Sequence, residues 1–543
     1  MRRDKFFDRH NYLEILQKRI SSLKEGYRQN IAIIGEENVG KTSIVYKFLD
    51  RFNDPMIITV FFEVRAESYQ DFSRRFIGAL LYNFLSNSGF PLKEDLDFLL
   101  DKASAYIPNT AGKIRSILSD LSKRKKINII TDLFGLPESI HQETGKFSVL
   151  FLDEFHNLES MGVKNLYRDW GKLLILQKNT LYVITSSMIF KTRVILSKQL
   201  SLLFGNFEVI NVEPFDIHTS GRYLDCYLPG LKAYPGIKDF IISFTGGYPL
   251  YLELVSKALL GRVEGRIQLA GEKTDIRAYL ADTLEDMLFD TSGVLNQRFS
   301  NYIKRFLDSS AGNDYISILY LISSGRNRIK EISHILRKQN KEMSLRVNYL
   351  LELDAITRSG DFLRVNDRLF AYWMRFVYRE KMRSLSYDAR NQKEKFRGSI
   401  EELIQEFLSQ SQKPLASRVS ELMQMFEDDT MQFERKKIRL CHFREVKPLN
   451  FNYRFLKSGL LGRCSDSLWI MAIKPDTLTE QDIADFSKEC KKYHHKSQRK
   501  IIVTLKEVDP NARLRALEEK VWTWDLNSLN QIFDLFSKPR VIA

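Results

Sequence analysis

Short runs of consecutive apolar residues alternate with helix-spaced apolar positions through the first 215 residues of the chain. Continuous apolar runs are typical of strands buried inside a parallel sheet, and apolar positions three or four residues apart indicate helices packed against it. The runs predict strands at residues 31–34, 57–62, 147–152, 181–185 and 207–212. Strands that alternate with helices predict an α/β fold with a parallel, doubly wound sheet.

The pattern changes after residue 215. Residues 216–310 have helical periodicity, and residues 311–378 contain three apolar helices followed by two short strands, which is typical of a winged helix. Residues 379–397 are strongly charged and predict a linker or an exposed helix, and residues 398–543 again alternate between helices and strands. Residues 1–215 form the predicted core. Together with the four regions just described, they divide the chain into five predicted parts. Within the core, residues 87–145 look like a mostly helical insertion.

A phosphate-binding motif follows the first predicted strand. It matches G-x-x-x-x-G-K-[ST], the P-loop. Glycines let the backbone approach phosphate, successive N–H groups cradle the phosphate oxygens, and the start of a helix adds its positive end. Lys41 is expected to reach the β- and γ-phosphates, and the Thr42 hydroxyl is expected to hold Mg²⁺. The predicted nucleotide-binding loop is Gly35, Glu36, Glu37, Asn38, Val39, Gly40, Lys41, Thr42 and Ser43.

Two carboxylates end the third predicted strand. Asp153 and Glu154 follow the apolar run Val149–Leu152. This is the Walker B pattern, in which the aspartate holds Mg²⁺ through water and the glutamate polarises the attacking water. The next strand ends in Ser186 and Ser187, which are candidate sensors of the γ-phosphate; the alternative is that these serines cap the following helix.

The composition of the chain is less informative about function than its motifs are. The chain has 543 residues, 44% hydrophobic residues and a formal net charge of +15. The charge favours contact with nucleic acid or another polyanion, or equally a lysine-rich surface that aids solubility. The four cysteines form no C-x-x-C pair, which suggests reduced thiols. No secretory signal and no run of 18 apolar residues is present, so we expect a cytoplasmic protein without membrane contact.

The motifs together resemble a known family. Gly35–Thr42, Val149–Glu154, Thr185–Ser187 and Thr245–Leu250 look like the predominantly archaeal-type P-loop ATPases of the STAND/AAA+-like signalling class. Over residues 6–300, the resemblance implies an ATPase core with a helical lid, and it implies that Tyr248 and Pro249 approach the nucleotide.

The chain departs from this family at one position. The family often has a basic residue after the glycine that precedes the last core strand, whereas Gly205 is followed by Asn206. No arginine finger can therefore be assigned. Hydrolysis is expected to be slow unless a partner or a neighbouring subunit supplies the arginine.

Basic side chains in the predicted winged helix are candidates for DNA contact. In winged helices of the helix-turn-helix type, the recognition helix reads the major groove. The candidates are Arg346 and Asn348 in the third helix and Arg358 and Arg364 in the wing. The alternative is that the winged helix packs on the ATPase as a structural spacer.

The C-terminal part resembles the nuclease-like domain of some of these ATPases. An active site would need carboxylates to hold a divalent metal. Lys474 is present, but Ala472 occupies the position of the required glutamate. We therefore predict an inactive, restriction-nuclease-like α/β domain. Glu401 or Glu402 could be a remnant ligand or an ordinary exposed helix residue.

The favoured hypothesis from the sequence is an ATP- and Mg²⁺-dependent molecular switch that hydrolyses ATP and is coupled to a winged helix and a C-terminal sensor or effector domain. The alternative is a DNA-binding regulator that uses ATP only as a ligand. An ATP-regulated nuclease is a weaker hypothesis. Expected partners are ATP, with DNA, a protein partner or self-association on ATP binding as candidates.

Overall fold

The computed structural model describes residues 6–89, 93–123, 128–200, 207–267, 275–308, 311–383, 389–433, 436–453, 456–493 and 497–543. The chain divides into two compact units. Unit 1 comprises Met1–Pro214 with Glu352–Asp354, and unit 2 comprises Phe215–Leu351 with Ala355–Ala543. The finer division into five parts stays a prediction.

A five-stranded sheet forms the centre of unit 1. Its strands are β1 (Asn30–Ile34), β2 (Ile57–Glu63), β3 (Phe147–Asp153), β4 (Thr180–Ser186) and β5 (Phe207–Asn211). Their order across the sheet is β2-β3-β4-β1-β5, and every neighbouring pair is parallel. The predicted α/β P-loop NTPase sheet is therefore confirmed. Because β4 lies between β1 and β3, the carboxyl ends of all three strands meet at one edge.

Helices of unit 1 cover this sheet. They are α1 (His10–Ser22), α2 (Lys41–Arg51), α3 (Tyr69–Asn87), α4 (Leu96–Ser104), α5 (Pro108–Ser122), α6 (Leu136–Thr144), α7 (Leu166–Leu176) and α8 (Ile189–Val194). Shorter 3₁₀ or π-helical segments are Leu23–Glu25, Ile129–Leu133, Phe155–Met161 and Ile195–Gln199. The predicted insertion at 87–145 is helical, and its apolar side chains, among them Ile114 and Phe134, join the same core as the strands.

Unit 2 begins with a series of helices. They are α9 (Ile217–Tyr227), α10 (Pro235–Thr245), α11 (Pro249–Ile267), α12 (Ile276–Leu288), α13 (Val294–Leu307), α14 (Gly312–Ser323), α15 (Ile329–Ile335) and α16 (Asn340–Glu352). Pro229–Ala233 forms a 3₁₀ turn. The last three helices precede an antiparallel hairpin of β6 (Ile356–Ser359) and β7 (Phe362–Val365). The predicted elements of the winged helix are thus present.

The remaining helices of unit 2 are α17 (Arg368–Trp373), α18 (Arg379–Arg383), α19 (Ala389–Gln412), α20 (Leu415–Met423), α21 (Glu480–Cys490), α22 (Pro510–Glu518) and α23 (Leu526–Leu535), with a π-helical segment at Met374–Tyr378. None of the helices in the described ranges is both long and apolar enough to cross a bilayer.

Two sheets complete unit 2. The strands are β8 (Asp429–Phe433), β9 (Lys436–Leu440), β10 (Glu445–Asn450), β11 (Ser458–Arg463), β12 (Leu468–Lys474), β13 (Gln498–Thr504) and β14 (Val521–Trp524). β8 pairs with β9, while β10 to β14 form a mixed sheet in sequence order. The predicted α/β character of this region is confirmed. The neighbouring strands β9 and β10 belong to different sheets.

The tip of the β6–β7 hairpin packs against β8. Gly360 has a φ of +64°, and a Cβ at this position would lie 2.1 Å from the carbonyl oxygen of Thr430. Next to it, Asp361 N–H donates to Thr430 O, and Thr430 N–H donates to the Asp361 carboxylate, both at 2.8 Å. The tip of the hairpin is therefore held against β8 by close backbone contacts that only glycine permits.

A buried carboxylate joins distant segments of unit 2. The Asp534 side chain is 6% exposed and accepts hydrogen bonds from Arg364, Arg368 and Arg540. Burial alone raises the pKa of Asp534, but the three arginines lower it more, so its net pKa lies well below the ordinary value. The carboxylate therefore stays ionised and holds the hairpin, α17 and the chain end together.

We expect Asp534→Asn to destabilise unit 2 by roughly 3–5 kcal/mol, because the substitution removes the buried counter-charge of three partly buried arginines. Urea unfolding followed by tryptophan fluorescence measures this, since four of the five tryptophans lie in unit 2. Asp476→Asn is the matched control: Asp476 is 77% exposed and paired with Lys506, so its loss should change stability by less than about 1 kcal/mol. Equal effects of the two substitutions would contradict the structural role of Asp534.

Candidate functional site

The predicted P-loop connects β1 to α2, and its geometry requires both glycines. A Cβ on Gly35 would lie 2.2 Å from the carbonyl oxygen of Val212. Gly40 precedes α2 with a φ of +95°, and Asn38 also adopts a positive φ of +64°. The backbone thus turns tightly before the helix begins at Lys41, which leaves the first N–H groups of α2 at the loop.

Lys41 is folded into the loop. Its Nζ donates to the carbonyl oxygens of Gly35 and Glu36, both at 2.9 Å, and lies 4.0 Å from Glu154 Oε1. Burial lowers the pKa of Lys41, an effect that Glu154 and Asp153 partly oppose. An anion at the loop would add the counter-charge that this buried ammonium group favours.

The predicted magnesium ligands lie next to each other. Thr42 Oγ1 donates to the Asp153 carboxylate at 3.1 and 3.3 Å. The pKa of Asp153 is raised by burial, with hydrogen bonds from Thr185 and Thr42 acting in the opposite direction. A hydroxyl and a carboxylate are both oxygen donors, which is the donor set that Mg²⁺ prefers. Thr42 and Asp153 therefore fit the predicted ion chemically.

Thr185 at the end of β4 connects the two carboxylate residues. Its hydroxyl donates to Asp153, and Glu154 N–H donates to the same hydroxyl oxygen at 3.1 Å. Glu154 has a φ of +52°, so its backbone is held in a strained conformation that such bonds stabilise. The sequence placed Thr185 at the strand end but assigned the sensor role only to the two serines that follow it.

Both predicted sensor residues lie at the site. Ser187 donates to Glu154 Oε2 through its N–H and its hydroxyl, each at 2.8 Å. Ser186 forms a hydrogen bond of 2.8 Å with His156 Nδ1. The two serines therefore hold Glu154 and His156, and their sensing of phosphate stays a prediction.

Arg9 is a residue of this site that the sequence did not reveal. Its guanidinium donates to Val39 O inside the P-loop and to Glu213 O, the latter at 2.7 Å. Burial lowers the pKa of Arg9 to about 10. Like Asn38 and Glu154, Arg9 has a positive φ (+67°), so three strained residues gather at one site. The only sequence signal was an arginine just before α1.

Tyr248 and Pro249 lie in unit 2, at the turn between α10 and α11. The turn contains Gly246 and Gly247, with φ of +64° and +79°. A Cβ on Gly247 would lie 2.1 Å from Phe215 O. The glycines are thus needed for the turn, and nucleotide contact by Tyr248 and Pro249 stays a prediction.

The candidate DNA-contacting residues fall into two groups. Two arginines already have carboxylate partners: Arg346 contacts Asp314 at 3.2 Å and Glu342 at 3.5 Å, and Arg364 contacts Asp534 at 3.4 Å. The other two, Asn348 and Arg358, are exposed. Arg358 bonds to Gly360 O at the hairpin tip that packs on β8.

The features of a degenerate nuclease can also be located. Lys474 at the end of β12 is buried, and its ammonium group contacts Asp482 at 2.9 Å. Ala472 is fully buried in the same strand. Glu401 and Glu402 are both exposed on α19, where Glu401 pairs with Arg397 at 3.1 Å. These positions favour ordinary helix residues over remnant ligands. The inactivity of this domain stays a prediction.

Similar folds occur among solved structures. A Walker-type ATPase of Pyrococcus abyssi is 16% identical, with 69% of this chain and 97% of that chain covered and a TM-score of 0.48. The ORC2 protein of Aeropyrum pernix is 11% identical, with 70% and 98% covered and a TM-score of 0.41. A STAND protein with a tetratricopeptide repeat sensor from Pyrococcus horikoshii is 14% identical, with 78% and 50% covered and a TM-score of 0.30.

At these identities and TM-scores the similarities carry no argument about function. No protein-family model matches the chain, and no curated protein does. The class follows from the chain itself. A parallel sheet whose first strand leads through G-x-x-x-x-G-K-T into a helix defines the fold of a P-loop NTPase. The predicted resemblance is confirmed at this level.

We expect the site to become unstable in mild acid because of His156. Burial, Lys191 and Lys41 lower its pKa from 6.5 to about 4, against the smaller opposite effects of Glu159 and Glu37. At neutral pH the imidazole is uncharged. Between about pH 6.5 and pH 4 this histidine is protonated in the unfolded chain but not in the folded chain. The free energy of unfolding therefore falls as the pH is lowered through this range, by roughly 3 kcal/mol in total.

Urea unfolding of the parent and of His156→Gln, measured between pH 7 and pH 4, tests this expectation. The variant should lose less stability than the parent across this range. His141→Gln is the control, since His141 is only partly buried and its ring nitrogen donates one hydrogen bond to the carbonyl oxygen of Lys146. Identical pH profiles for the parent and His156→Gln would rule out the buried histidine as a source of acid sensitivity.

Proposed function

We propose that this protein binds ATP with Mg²⁺ at the P-loop, hydrolyses it slowly and acts as a nucleotide-dependent molecular switch. One observation carries the proposal. The Thr42 and Thr185 hydroxyls both donate to Asp153, and Thr185 also accepts from Glu154 N–H. Phosphate loop, metal ligands and a candidate water-activating carboxylate thus belong to one hydrogen-bonded group.

Each residue has a distinct role in this proposal. The loop N–H groups and Lys41 bind the phosphates, and Thr42 and Asp153 hold Mg²⁺, which neutralises phosphate charge when bound. Glu154 orients the attacking water and accepts its proton. Its Oε2 is held by Ser187, whereas Oε1 lies on the side of Lys41, 4.0 Å from Nζ. Oε1 is therefore the oxygen we assign to the water.

Slow turnover follows from the missing arginine finger. Such a residue typically adds about 10³–10⁵ in rate. The position where the sequence departs from the resembled family, Gly205-Asn206, lies outside the described residues. A second subunit or a protein partner is the proposed source of an arginine, which would make hydrolysis depend on assembly.

The switch output is assigned to unit 2. Its winged-helix hairpin contacts β8, and Asp534 ties the hairpin to α17 and the chain end. Because these contacts bind the segments together, a change in the nucleotide state would move them as one body. This favours the spacer interpretation of the winged helix, with the C-terminal domain as sensor or effector.

A DNA-binding regulator remains the second hypothesis, and the net charge of +15 favours it. The ion pairs of Arg346 and Arg364 count against it, because these arginines would have to give up carboxylates to bind phosphate. An ATP-regulated nuclease has less support, since Lys474 is buried against Asp482.

Glu154→Gln should bind ATP as tightly as the parent and lose at least about 100-fold in turnover, because an amide cannot accept the proton. Equilibrium ATP titration and phosphate release measure the two quantities. Glu25→Gln, at an exposed position outside the site, is the control and should hydrolyse ATP at the parent rate. Turnover that survives in Glu154→Gln would assign water activation to a different group.

If the spacer interpretation holds, duplex DNA binding should be weak, and Arg358→Gln should change it by less than about twofold. A DNA-binding regulator would instead show a steep fall of affinity with salt, with the slope reduced by about one unit in the variant. Fluorescence anisotropy with labelled duplex across salt concentrations measures the slope. A steep slope that Arg358→Gln reduces would overturn the spacer interpretation.

A further inference from the structure

Unit 2 contains a cavity of about 150 Å³ that plays no part in the proposed ATP chemistry. Its walls come from α10, the end of α14, the β7 strand with α17, helix α19 and the last residues of the chain, 534–540. A cavity of this size in a protein can hold a molecule as large as benzene. It is therefore large enough for a small ligand.

The lining of this cavity carries an excess of positive charge. Two carboxylates, Asp534 and Glu406, face a larger number of cations. The cationic side chains are Arg364, Arg368, Arg375, Lys538 and Arg540. Cations held this close to one another repel, so an anion in the cavity would be stabilised by the surplus.

Asp534 cannot neutralise the surplus, because three arginines already share it. Arg540 uses both Nε and Nη2 on this carboxylate, at 2.6 to 3.2 Å, and Arg368 and Arg364 add further bonds. Among the described residues, Arg368 Nε is buried without a hydrogen-bond partner. A buried donor without an acceptor is unfavourable, and an oxygen of a ligand would remove this penalty.

Aromatic and apolar side chains form another part of the wall. Phe244 stacks on Tyr372 with ring centroids 4.9 Å apart and planes at 15°, and Phe240 meets Phe407 edge to face at 5.6 Å. A pocket lined by both cationic and aromatic side chains suits an oxyanion, either free or attached to a small apolar group.

We propose that this cavity is a binding site for a small phosphate-type dianion, separate from the P-loop. Arg375 at the exposed mouth and Lys538 are the residues we assign to the ligand, since Asp534 binds neither of them. The guanidinium fork of Arg375 matches two phosphate oxygens. The bound anion would join the Met374–Tyr378 segment to the residues near the chain end, so it would stabilise unit 2. This inference goes beyond the proposed ATPase switch and does not depend on it.

Isothermal titration with inorganic phosphate at constant ionic strength tests the site. The full chain carries Lys41→Ala, so that the P-loop does not dominate the signal. We expect binding to persist in this chain and to weaken at least tenfold when Arg375→Gln and Lys538→Gln are added, because two charge-assisted contacts are lost. Methyl phosphate serves as the second probe: tighter binding than inorganic phosphate indicates an ester as ligand, and weaker binding indicates the free ion.

A matched control makes the test specific. Lys304→Gln with Arg513→Gln removes the same charge from exposed positions that do not line the cavity, and should leave affinity within about twofold. Absence of binding in the Lys41→Ala chain, or an equal loss in the control pair, would overturn the proposal. Since Arg375 and Lys538 lie outside the P-loop, failure here leaves the ATP proposal standing, and the reverse also holds.

Discussion

The hydrogen bonds of Thr185 are the interaction on which the candidate site depends. Strand β4 lies between β1, which leads into the P-loop, and β3, which ends in Asp153 and Glu154. From this central position the Thr185 hydroxyl fixes the Asp153 carboxylate and the strained backbone of Glu154 together. Without a strand between them, the phosphate loop and the carboxylates would have no common support, and Thr42 would have no fixed oxygen partner for a shared ion.

Unit 2 depends on a comparable central residue. Asp534 binds three arginines from segments that are up to 170 residues away in the chain. Such a cluster gives unit 2 a single arrangement of hairpin, α17 and chain end, at the cost of burying one charge. The same cluster leaves several cationic side chains lining a cavity. Their surplus positive charge favours an anion bound there. Structural and binding roles thus arise from one set of side chains.

Local patterns predicted much of unit 1. Four of its five strands are mainly apolar runs, and the P-loop and Asp153-Glu154 are contiguous motifs, so the sequence alone placed them. Arg9 was missed because its partner Glu213 is 204 residues away. Strand alternation places Thr185 and Ser187 on the side of the carboxylates and Ser186 on the side of His156. The sequence interpretation did not apply this alternation at the end of the strand, so it missed Thr185. In unit 2, β10 escaped prediction because it is largely exposed and lacks an apolar pattern.

The most direct test of the account is the affinity of Lys41→Ala for ATP in the presence of Mg²⁺, measured by equilibrium titration. Lys41 is buried in the loop, and its ammonium group should form charge-assisted bonds to phosphate that alanine cannot replace. We expect binding to weaken by about 10- to 100-fold. Lys47→Ala, on the same helix, should bind like the parent. If Lys41→Ala binds ATP as tightly as the parent, the P-loop is not the nucleotide site and the account is wrong.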